Sequence, residues 1–177
     1  VKGSMALIET DRAVHLSTAV GASTRTSGGS GANTIAGIAS LGGDVAFIGK
    51  VANDEFGDVF AADMKTVGVD FRSGAPDSSV PTGRCIIAVT PDAQRTMNTF
   101  LGISTQLSFS DLDSDIISAG AVLYLEGYLF DRDLAKEAFR TASKYAHEAG
   151  RKVSLTLSDS FCVDRHRSDF MALIKND

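Results

Sequence analysis

The segment SGGSGANT, residues 27–34, places three glycines directly before a predicted helix that runs from Ala32 to Leu41 and stops at a Gly-Gly pair. Glycines let a backbone approach a ligand where a Cβ atom would collide, and the first helical turn offers free N–H groups to hydroxyl or anionic groups. Asn33 carries an amide that donates and accepts hydrogen bonds at once, which suits a sugar diol. The segment therefore predicts a ligand cradle, unless Gly28 and Gly29 only make a tight turn and Asn33 is a surface residue.

This turn matches neither of the two common phosphate-binding patterns. The third glycine of the dinucleotide pattern would fall on Thr34. Around Lys50, the Walker A pattern would need a glycine at Asp44 and a serine or threonine at Val51. The sequence thus lacks both patterns, and we expect Lys50 to be a solvated charge at a strand end.

Beyond the turn, short apolar runs alternate with segments of helical period. The apolar runs that predict strands are residues 5–8, 45–50, 70–72, 121–127 and 152–157. Further helices are predicted from Asn53 or Asp54 to Val67 and over residues 110–119, 132–149 and 163–174. This alternation is typical of βαβ units, so we expect a three-layer α/β/α sandwich with a mostly parallel central sheet. Residues 76–79 are the most linker-like.

The middle of the chain departs from that alternation. Two β-rich runs, residues 84–90 and 95–101, flank a Pro-Asp turn and predict a hairpin. A hairpin inserted into a βαβ series is typical of a flap outside the main sheet. We expect a small β lid whose strands come from about residues 5–20, 69–73 and 82–101. On its second strand, Met97, Thr99 and Leu101 would share one face.

Composition limits the class of protein. The chain has 177 residues, 44% apolar and 22% charged, which is enough to bury the core of a soluble α/β domain. Its net charge of −5 opposes nucleic-acid binding, and no apolar run nears the roughly 20 residues that cross a bilayer. Two cysteines without a CxxC pattern fit a reducing cytoplasm. Since it starts at Val1 without a signal peptide, we expect the chain to begin inside a longer polypeptide.

Two clusters of polar residues have partial metal-binding patterns. Cys162 and His166 stand four apart on a predicted helix, but no third ligand is evident. Asp111, Asp113 and Asp115 resemble the opening of a calcium loop that lacks its glycine and its terminal glutamate. Helix capping explains these aspartates better, so we expect no metal site in this chain.

Several spaced motifs follow the glycine turn in a fixed order. They are ASLGG at 39–43, FIGKV at 47–51, DEFG at 54–57, GVD at 68–70 and PTG at 81–83. Together with residues 27–34 they resemble the PfkB, or ribokinase-like, carbohydrate and nucleoside kinases. The resemblance covers essentially the whole chain, in register with the N-terminal half of the family. It implies a ribokinase-like sandwich with a β lid, incomplete at both ends, and makes residues 1–177 the N-terminal portion of one domain.

The residue after the paired glycines helps to separate branches of this family. Ribokinases usually have a lysine there, whereas this chain has Ser30, and the pattern GGSxxN resembles the adenosine kinase branch. Residues 91–97, 124–129 and 156–159 add to that likeness. The resemblance implies that the intact protein transfers the γ-phosphoryl group of ATP to the 5′-hydroxyl of adenosine. A kinase of ribose or fructose, or a non-catalytic sugar- or nucleoside-binding module, remains an alternative.

The resemblance also implies roles for individual residues. Gly28, Gly29 and Asn33 would hold the sugar hydroxyls, with Ser30 beside the base or sugar. Arg95, placed at the base of the lid, would meet the transferred phosphate, because a guanidinium offers forked donors to phosphate oxygens. The remaining substrate contacts would come from the lid and from pocket residues, namely Leu7, Met97, Thr99, Leu101, Tyr128 and Leu129.

Catalysis is expected to involve residues outside this chain. In the family that it resembles, the base is the aspartate of a Gly-Ala-Gly-Asp motif, and an Asn-x-x-Glu motif assists the metal. Neither motif occurs in these 177 residues. We therefore expect ATP, Mg²⁺ and possibly K⁺ to bind through the other half of the protein, and the protein to be a monomer or a lid-mediated homodimer.

Overall fold

The computed structural model describes residues 1–21, 23–74 and 79–176. The predicted linker at 76–79 therefore lies, except for Ser79, outside the described residues. The strands are β1 (Met5–Leu7), β2 (Ala46–Gly49), β3 (Asp70–Ser73), β4 (Arg84–Val89), β5 (Arg95–Phe100), β6 (Val122–Glu126) and β7 (Lys152–Thr156). The α-helices are α1 (Thr10–Val20), α2 (Ser30–Ser40), α3 (Glu55–Thr66), α4 (Ser114–Ala119), α5 (Asp133–Glu148) and α6 (Ser160–Asn176). Short 3₁₀ helices cover Gly102–Gln106, Phe109–Asp111 and Gly127–Asp131.

Two pairs of parallel strands form the α/β part of the fold. Strand β2 pairs with β3 from Ala46 opposite Asp70 onward, and β6 pairs with β7 from Val122 opposite Lys152 onward. Each pair is joined by one helix, α3 or α5, because parallel neighbours need a crossover connection. The predicted α/β class with mostly parallel strands is confirmed.

The lid is a separate three-stranded sheet in the order β1-β5-β4. Strands β4 and β5 form the predicted antiparallel hairpin, with Arg84 opposite Phe100 and Val89 opposite Arg95. Strand β1 runs parallel to β5, so that Met5 stands opposite Met97. Helix α1 contacts β4 and β5 and covers one face of the lid.

The lid differs from the expectation in three places. Residues 10–20 form α1, a helix that the sequence analysis did not predict, since its turns are mostly exposed and only Ala13 is fully buried. Residues 70–73 belong to the β2-β3 sheet and not to the lid, because α3 returns the chain beside β2. Leu101 lies past the end of β5 with helical backbone angles, so it does not continue the alternation of Met97 and Thr99.

The predicted helix over 110–119 is divided in two. Asp111 closes a capping box in the short helix Phe109–Asp111, and Asp113 caps α4 by accepting hydrogen bonds from the N–H groups of Asp115 and Ile116.

The expectation of a solvated Lys50 is wrong. Its Nζ donates to both oxygens of Asp111 at 2.9 and 3.0 Å, and the two side chains are only 10% and 3% exposed. This buried ion pair fastens the end of β2 to the loop before α4.

Phenylalanine rings lie in two of the hydrophobic core clusters. Phe130 is 2% exposed, stacks on Phe170 with ring centroids 4.2 Å apart and meets the edge of Phe139 at 5.4 Å. This cluster joins α5 and α6 to the β6-β7 pair. A second cluster lies between α3 and the β2-β3 pair, where the rings of Phe47, Phe60 and Phe71 pack against one another. Within the parts of the chain that the structure describes, no helix combines the length and the apolar character needed to cross a membrane.

We expect Phe130→Ala to lower the free energy of unfolding by about 3–5 kcal/mol, because it removes a large ring from a packed site and leaves a cavity. Urea denaturation of the full-length protein measures the loss. Phe161→Ala is the matched control, since that ring is 72% exposed and its removal should change stability by no more than about 0.5 kcal/mol. Equal losses in the two variants would contradict this account of the core.

Candidate functional site

The glycine turn presents exposed backbone at the start of α2. Gly29 has φ +103°, a conformation that residues with a Cβ rarely adopt. A Cβ added at Gly28 or Gly29 would have no protein atom within 4 Å, so there is open space in front of this backbone. Asn33 is exposed, and its N–H donates to the Gly29 carbonyl at 2.8 Å as α2 begins. The turn is therefore accessible to a ligand from solvent.

Helix α3 holds the residues that lead into this turn. Ser27 donates from its backbone N–H at 3.1 Å and from its hydroxyl at 2.6 Å to the same carboxylate oxygen of Asp63. Arg25 forms an ion pair with Glu55, and its guanidinium carbon lies 5.2 Å from the centre of the Phe56 ring. These contacts set the direction in which the chain enters the turn.

The last glycine of the turn brings α2 against strands β2 and β6. Gly31 is buried, and a Cβ added there would lie 3.4 Å from the Phe47 ring and 3.7 Å from the Cβ of Glu126. Phe47 lies within β2, and Glu126 is the last residue of β6. The turn therefore sits near the carboxyl end of the parallel strand β6, and such ends are where open α/β sheets bind ligands.

A cleft of about 200 Å³ lies between the lid and the segment after β6. Four residues that the sequence analysis placed in the site line it, namely Leu7, Leu101, Tyr128 and Leu129. Its other lining residues are Thr105, Asp131 and Arg132. The fold thus brings together residues from β1, the end of the lid hairpin and the 3₁₀ helix Gly127–Asp131.

The remaining predicted site residues are not among those that line this cleft. Met97 and Thr99 lie two residues apart on β5, the lid strand next to β1, and Thr99 is directly opposite Leu7. Gly28, Gly29, Ser30 and Asn33 stay together at the glycine turn. Arg95 is not at the base of the lid: it is exposed at the turn end of the hairpin, while Phe100 marks the base. This position follows from the hairpin itself, because Arg95 is the first residue of β5 after the turn.

Glu126 is a polar residue of this region to which the sequence analysis gave no role. Its carboxylate is half-buried at the end of β6 and accepts a hydrogen bond from the Ser158 hydroxyl at 2.5 Å. Its Cβ faces Gly31 at the start of α2. In the chain, only Gly127 separates it from Tyr128, which lines the cleft. The signal in the sequence was a charged residue directly after the apolar run at 122–125.

A charged cluster borders the cleft at Asp131. This carboxylate accepts hydrogen bonds from Nε2 of His166 at 2.6 Å and from two nitrogens of Arg165 at 3.1 Å. Burial raises the pKa of Asp131, but these hydrogen bonds outweigh burial, and the net pKa lies below its ordinary value. Asp131 is therefore a carboxylate near neutral pH. His166 departs from helical angles within α6, where it reaches this partner.

Tyr128 is held by a second carboxylate beside the cleft. Its hydroxyl donates to Asp159 at 3.3 Å. Burial and the negative charge of Asp159 raise the pKa of Tyr128, so its hydroxyl stays protonated and remains a donor. The Cys162 thiol, next to this pair, donates to the Gly127 carbonyl at 3.3 Å. Among the described residues, no group of three or more metal-ligating side chains occurs.

Asp54 joins the base of the lid to α3. One of its oxygens accepts from the Gly57 N–H and caps α3, and the other accepts from the Thr82 N–H, each at 2.9 Å. The Thr82 hydroxyl in turn accepts from the Ala52 N–H at 2.9 Å. Burial raises the pKa of Asp54, but the hydrogen bonds from Thr82 and Gly57 and the charge of Arg84 bring it below its ordinary value.

A parallel α/β fold with a glycine turn, a cleft after a parallel strand and a β lid is typical of proteins that bind small molecules. The sequence profile described as "pfkB family carbohydrate kinase" matches residues 3–176. The chain belongs to this PfkB family of carbohydrate kinases, as the resemblance implied.

Two solved structures and a curated plant sequence are similar to most of this chain. An adenosine kinase from Sinorhizobium meliloti is 46% identical with a TM-score of 0.86, over 98% of this chain and 53% of that one. A probable sugar kinase from Rhizobium etli CFN 42 is 44% identical with a TM-score of 0.86, over 98% of this chain and 52% of that one. A probable fructokinase-6, chloroplastic, from Arabidopsis thaliana is 34% identical over 70% of this chain and 33% of its own length. The chain thus spans between a third and about half of these relatives.

We expect Asp54→Asn to lower the free energy of unfolding by about 1–3 kcal/mol near neutral pH, because an amide offers one acceptor to two N–H donors. A folded-state pKa below the ordinary value contributes stability above the ordinary pKa and loses it as the pH falls through the lowered one. The difference between wild type and variant should therefore be constant above about pH 5 and shrink in more acidic solution. Denaturation at a series of pH values measures it.

The matched control is Asp58→Asn, an exposed carboxylate in the first turn of the same helix. We expect it to change stability by less than about 1 kcal/mol, the size of a helix-dipole effect. A loss at Asp54 that does not depend on pH would contradict the role given to its charge.

Proposed function

We propose that the full-length protein transfers the γ-phosphoryl group of ATP to the 5′-hydroxyl of adenosine, and that this chain supplies the acceptor-binding half. The observation that carries the proposal is the pairing of two unlike surfaces. Three leucines and a tyrosine ring line the cleft under the lid together with Thr105, Asp131 and Arg132, while exposed backbone and a carboxylate lie at the glycine turn. A cleft with a mostly apolar wall and a few polar groups suits a purine base, and a polar turn suits the ribose.

In this proposal, the glycine turn holds the ribose. The N–H groups near Gly28 and Gly29 donate to sugar oxygens, and the Asn33 amide donates to one hydroxyl while accepting from its neighbour. The carboxylate of Glu126 accepts from a hydroxyl on the side of β6. Ser30 lies at the same turn and borders the base or sugar. These contacts orient the acceptor so that its 5′-hydroxyl points away from the turn.

The lid excludes water from the acceptor. Met97 and Thr99 share a strand with the residues that continue into the cleft wall, and Leu7 and Leu101 belong to that wall. Removing water favours transfer to the hydroxyl over transfer to water. For Arg95, the turn-end position supplies no contact with the cleft, so its proposed phosphate contact rests on the family resemblance alone.

Bound ATP would supply the phosphoryl group, and its Mg²⁺ would neutralise the negative charge that develops on the phosphate oxygens during transfer. We propose that Mg-ATP binds mainly through residues beyond this chain, because the family resemblance assigns the base and the metal contact to motifs that do not occur in these 177 residues. The part assigned to this chain is to bind and orient the acceptor. A K⁺ requirement has no support in these residues.

A sugar kinase is the second candidate. It is favoured by the 44% identity to the probable sugar kinase from Rhizobium etli and by the 34% identity to the plant fructokinase relative. A free hexose or pentose would fill the polar turn but leave the apolar cleft without a partner. We therefore place adenosine first.

We also propose a reducing compartment, with the cytoplasm as the simplest case. Cys85 and Cys162 are both free thiols, one exposed and one buried. Unpaired thiols are typical of proteins kept under reducing conditions. The sequence expectation from two isolated cysteines points the same way.

The full-length protein should convert adenosine and Mg-ATP to AMP and ADP, and it should do so at a higher kcat/KM than it shows for fructose or ribose. Chromatography of the nucleotides with each acceptor in turn measures this. A preference for fructose or ribose would replace adenosine by the second candidate. Acceptor binding, seen as a rise in melting temperature, with no phosphorylation of any of the three would instead support a binding module.

We expect Asn33→Ala to weaken adenosine binding by about 1–3 kcal/mol, because hydrogen bonds to the ribose are lost. Gly28→Ala should also weaken binding, yet leave stability unchanged, because the added Cβ meets no protein atom within 4 Å and would project toward the ligand. Titration calorimetry and thermal melting separate these effects. Asn53→Ala, an exposed amide on the β2-α3 loop, is the matched control and should leave affinity unaltered. Wild-type affinity in both site variants would remove the acceptor from this turn.

A further inference from the structure

The ring of Phe56, in the first turn of α3, is contacted by guanidinium groups from two separate parts of the chain. The guanidinium carbon of Arg25 lies 5.2 Å from the ring centre, and that of Arg84 lies 4.8 Å from it. Arg25 leads into the glycine turn, and Arg84 is the first residue of the lid strand β4. One side chain therefore touches both parts that must meet around an acceptor.

The contacts of Arg84 are with rings rather than with directional acceptors. Its guanidinium carbon also lies 5.8 Å from the centre of Phe100, the residue opposite it in the lid hairpin. Its Nε is buried and has no hydrogen-bond partner within the described part of the chain. A cation over aromatic faces is attracted to the ring quadrupole. Arg84 is therefore held by the rings of Phe56 and Phe100, which connects the lid strand β4 to the first turn of α3.

The same helix turn anchors both neighbours by other means. Asp54 accepts from the Thr82 N–H at the lid base, and Glu55 pairs with Arg25 before the glycine turn. At the lid base, a Cβ at Gly83 would collide with the carbonyl of Leu101, so the two lid connections pass in close contact. A shift of the lid base is thereby transmitted to the first turn of α3 rather than absorbed in a loose loop.

We propose that Phe56 is a positioning residue: through Arg84 and Arg25 it sets the lid relative to the glycine turn, and so sets the affinity for the acceptor. The identity of the acceptor rests on the proposed function. The mechanical link between lid base and turn does not, because it is argued from contacts within this chain. The two ideas therefore need separate measurements.

Hydrogen exchange tests the link without any ligand. In the full-length protein, Arg84→Met should speed the exchange of the Ser27 amide, which donates to Asp63 before the glycine turn, at least threefold, although Ser27 is remote in sequence. Arg84→Lys keeps the charge and should give a smaller increase. Arg72→Met is the matched control, since Arg72 is exposed on β3 and pairs only with Asp70 among the described residues. Faster exchange confined to residues 81–102, or an equal effect of the control, would overturn the proposal.

Kinetics test the consequence for the acceptor. Phe56→Leu should raise the KM for the acceptor about tenfold while kcat stays within twofold, and Phe56→Tyr, which keeps the ring, should restore KM to within twofold of wild type. If the leucine variant does not fold, Arg84→Met is expected to show the same rise in KM. A fall in kcat with unchanged KM, or a tyrosine variant as impaired as leucine, would refute the positioning role. Absence of phosphorylation by the wild type would end the proposed function alone, and the exchange experiment would still decide the link.

Discussion

The two oxygens of Asp54 fix the relation between the parts of this protein. One oxygen starts α3 by accepting from Gly57, and the other holds Thr82, where the chain enters the lid. Both N–H donors would otherwise lack a partner, and a buried unpaired donor is costly. The carboxylate therefore ties helix formation and lid attachment to one charge, and its pKa below the ordinary value reflects those hydrogen bonds.

Around that anchor, side chains and backbone divide the work. Phenylalanine clusters such as Phe130, Phe139 and Phe170 bury the helices against the parallel strands. The surface proposed to bind the acceptor lies instead at the glycine turn, where the backbone is exposed. In this proposal, stability and binding depend on different residues, so substitutions at the turn should alter binding without unfolding the core.

The site is divided along the chain in the same way as the fold. The polar turn belongs to the start of α2, while the apolar cleft is assembled from β1, Leu101 and the segment after β6. Asp63 and Glu55 of helix α3 contact the residues that lead into the polar turn. Asp54, which caps α3, and Phe56 in its first turn contact Thr82 and Arg84 of the lid. For the proposed acceptor site, this shared helix keeps the turn and the lid in one geometry, which binding of a small molecule between them would require.

Within the described residues, local sequence patterns were enough to predict the strands, five of the six α-helices and the glycine turn, because periodicity and glycine conformation are local properties of the chain. They did not predict α1, whose exposed turns carry little apolar period, and they placed Lys50 in solvent. The contact of Asp111 with Lys50 and the cleft shared by Leu7 and Tyr128 became visible only in the folded chain. Such contacts join residues far apart in sequence, and their geometry depends on how strands register and helices pack, which no local pattern encodes.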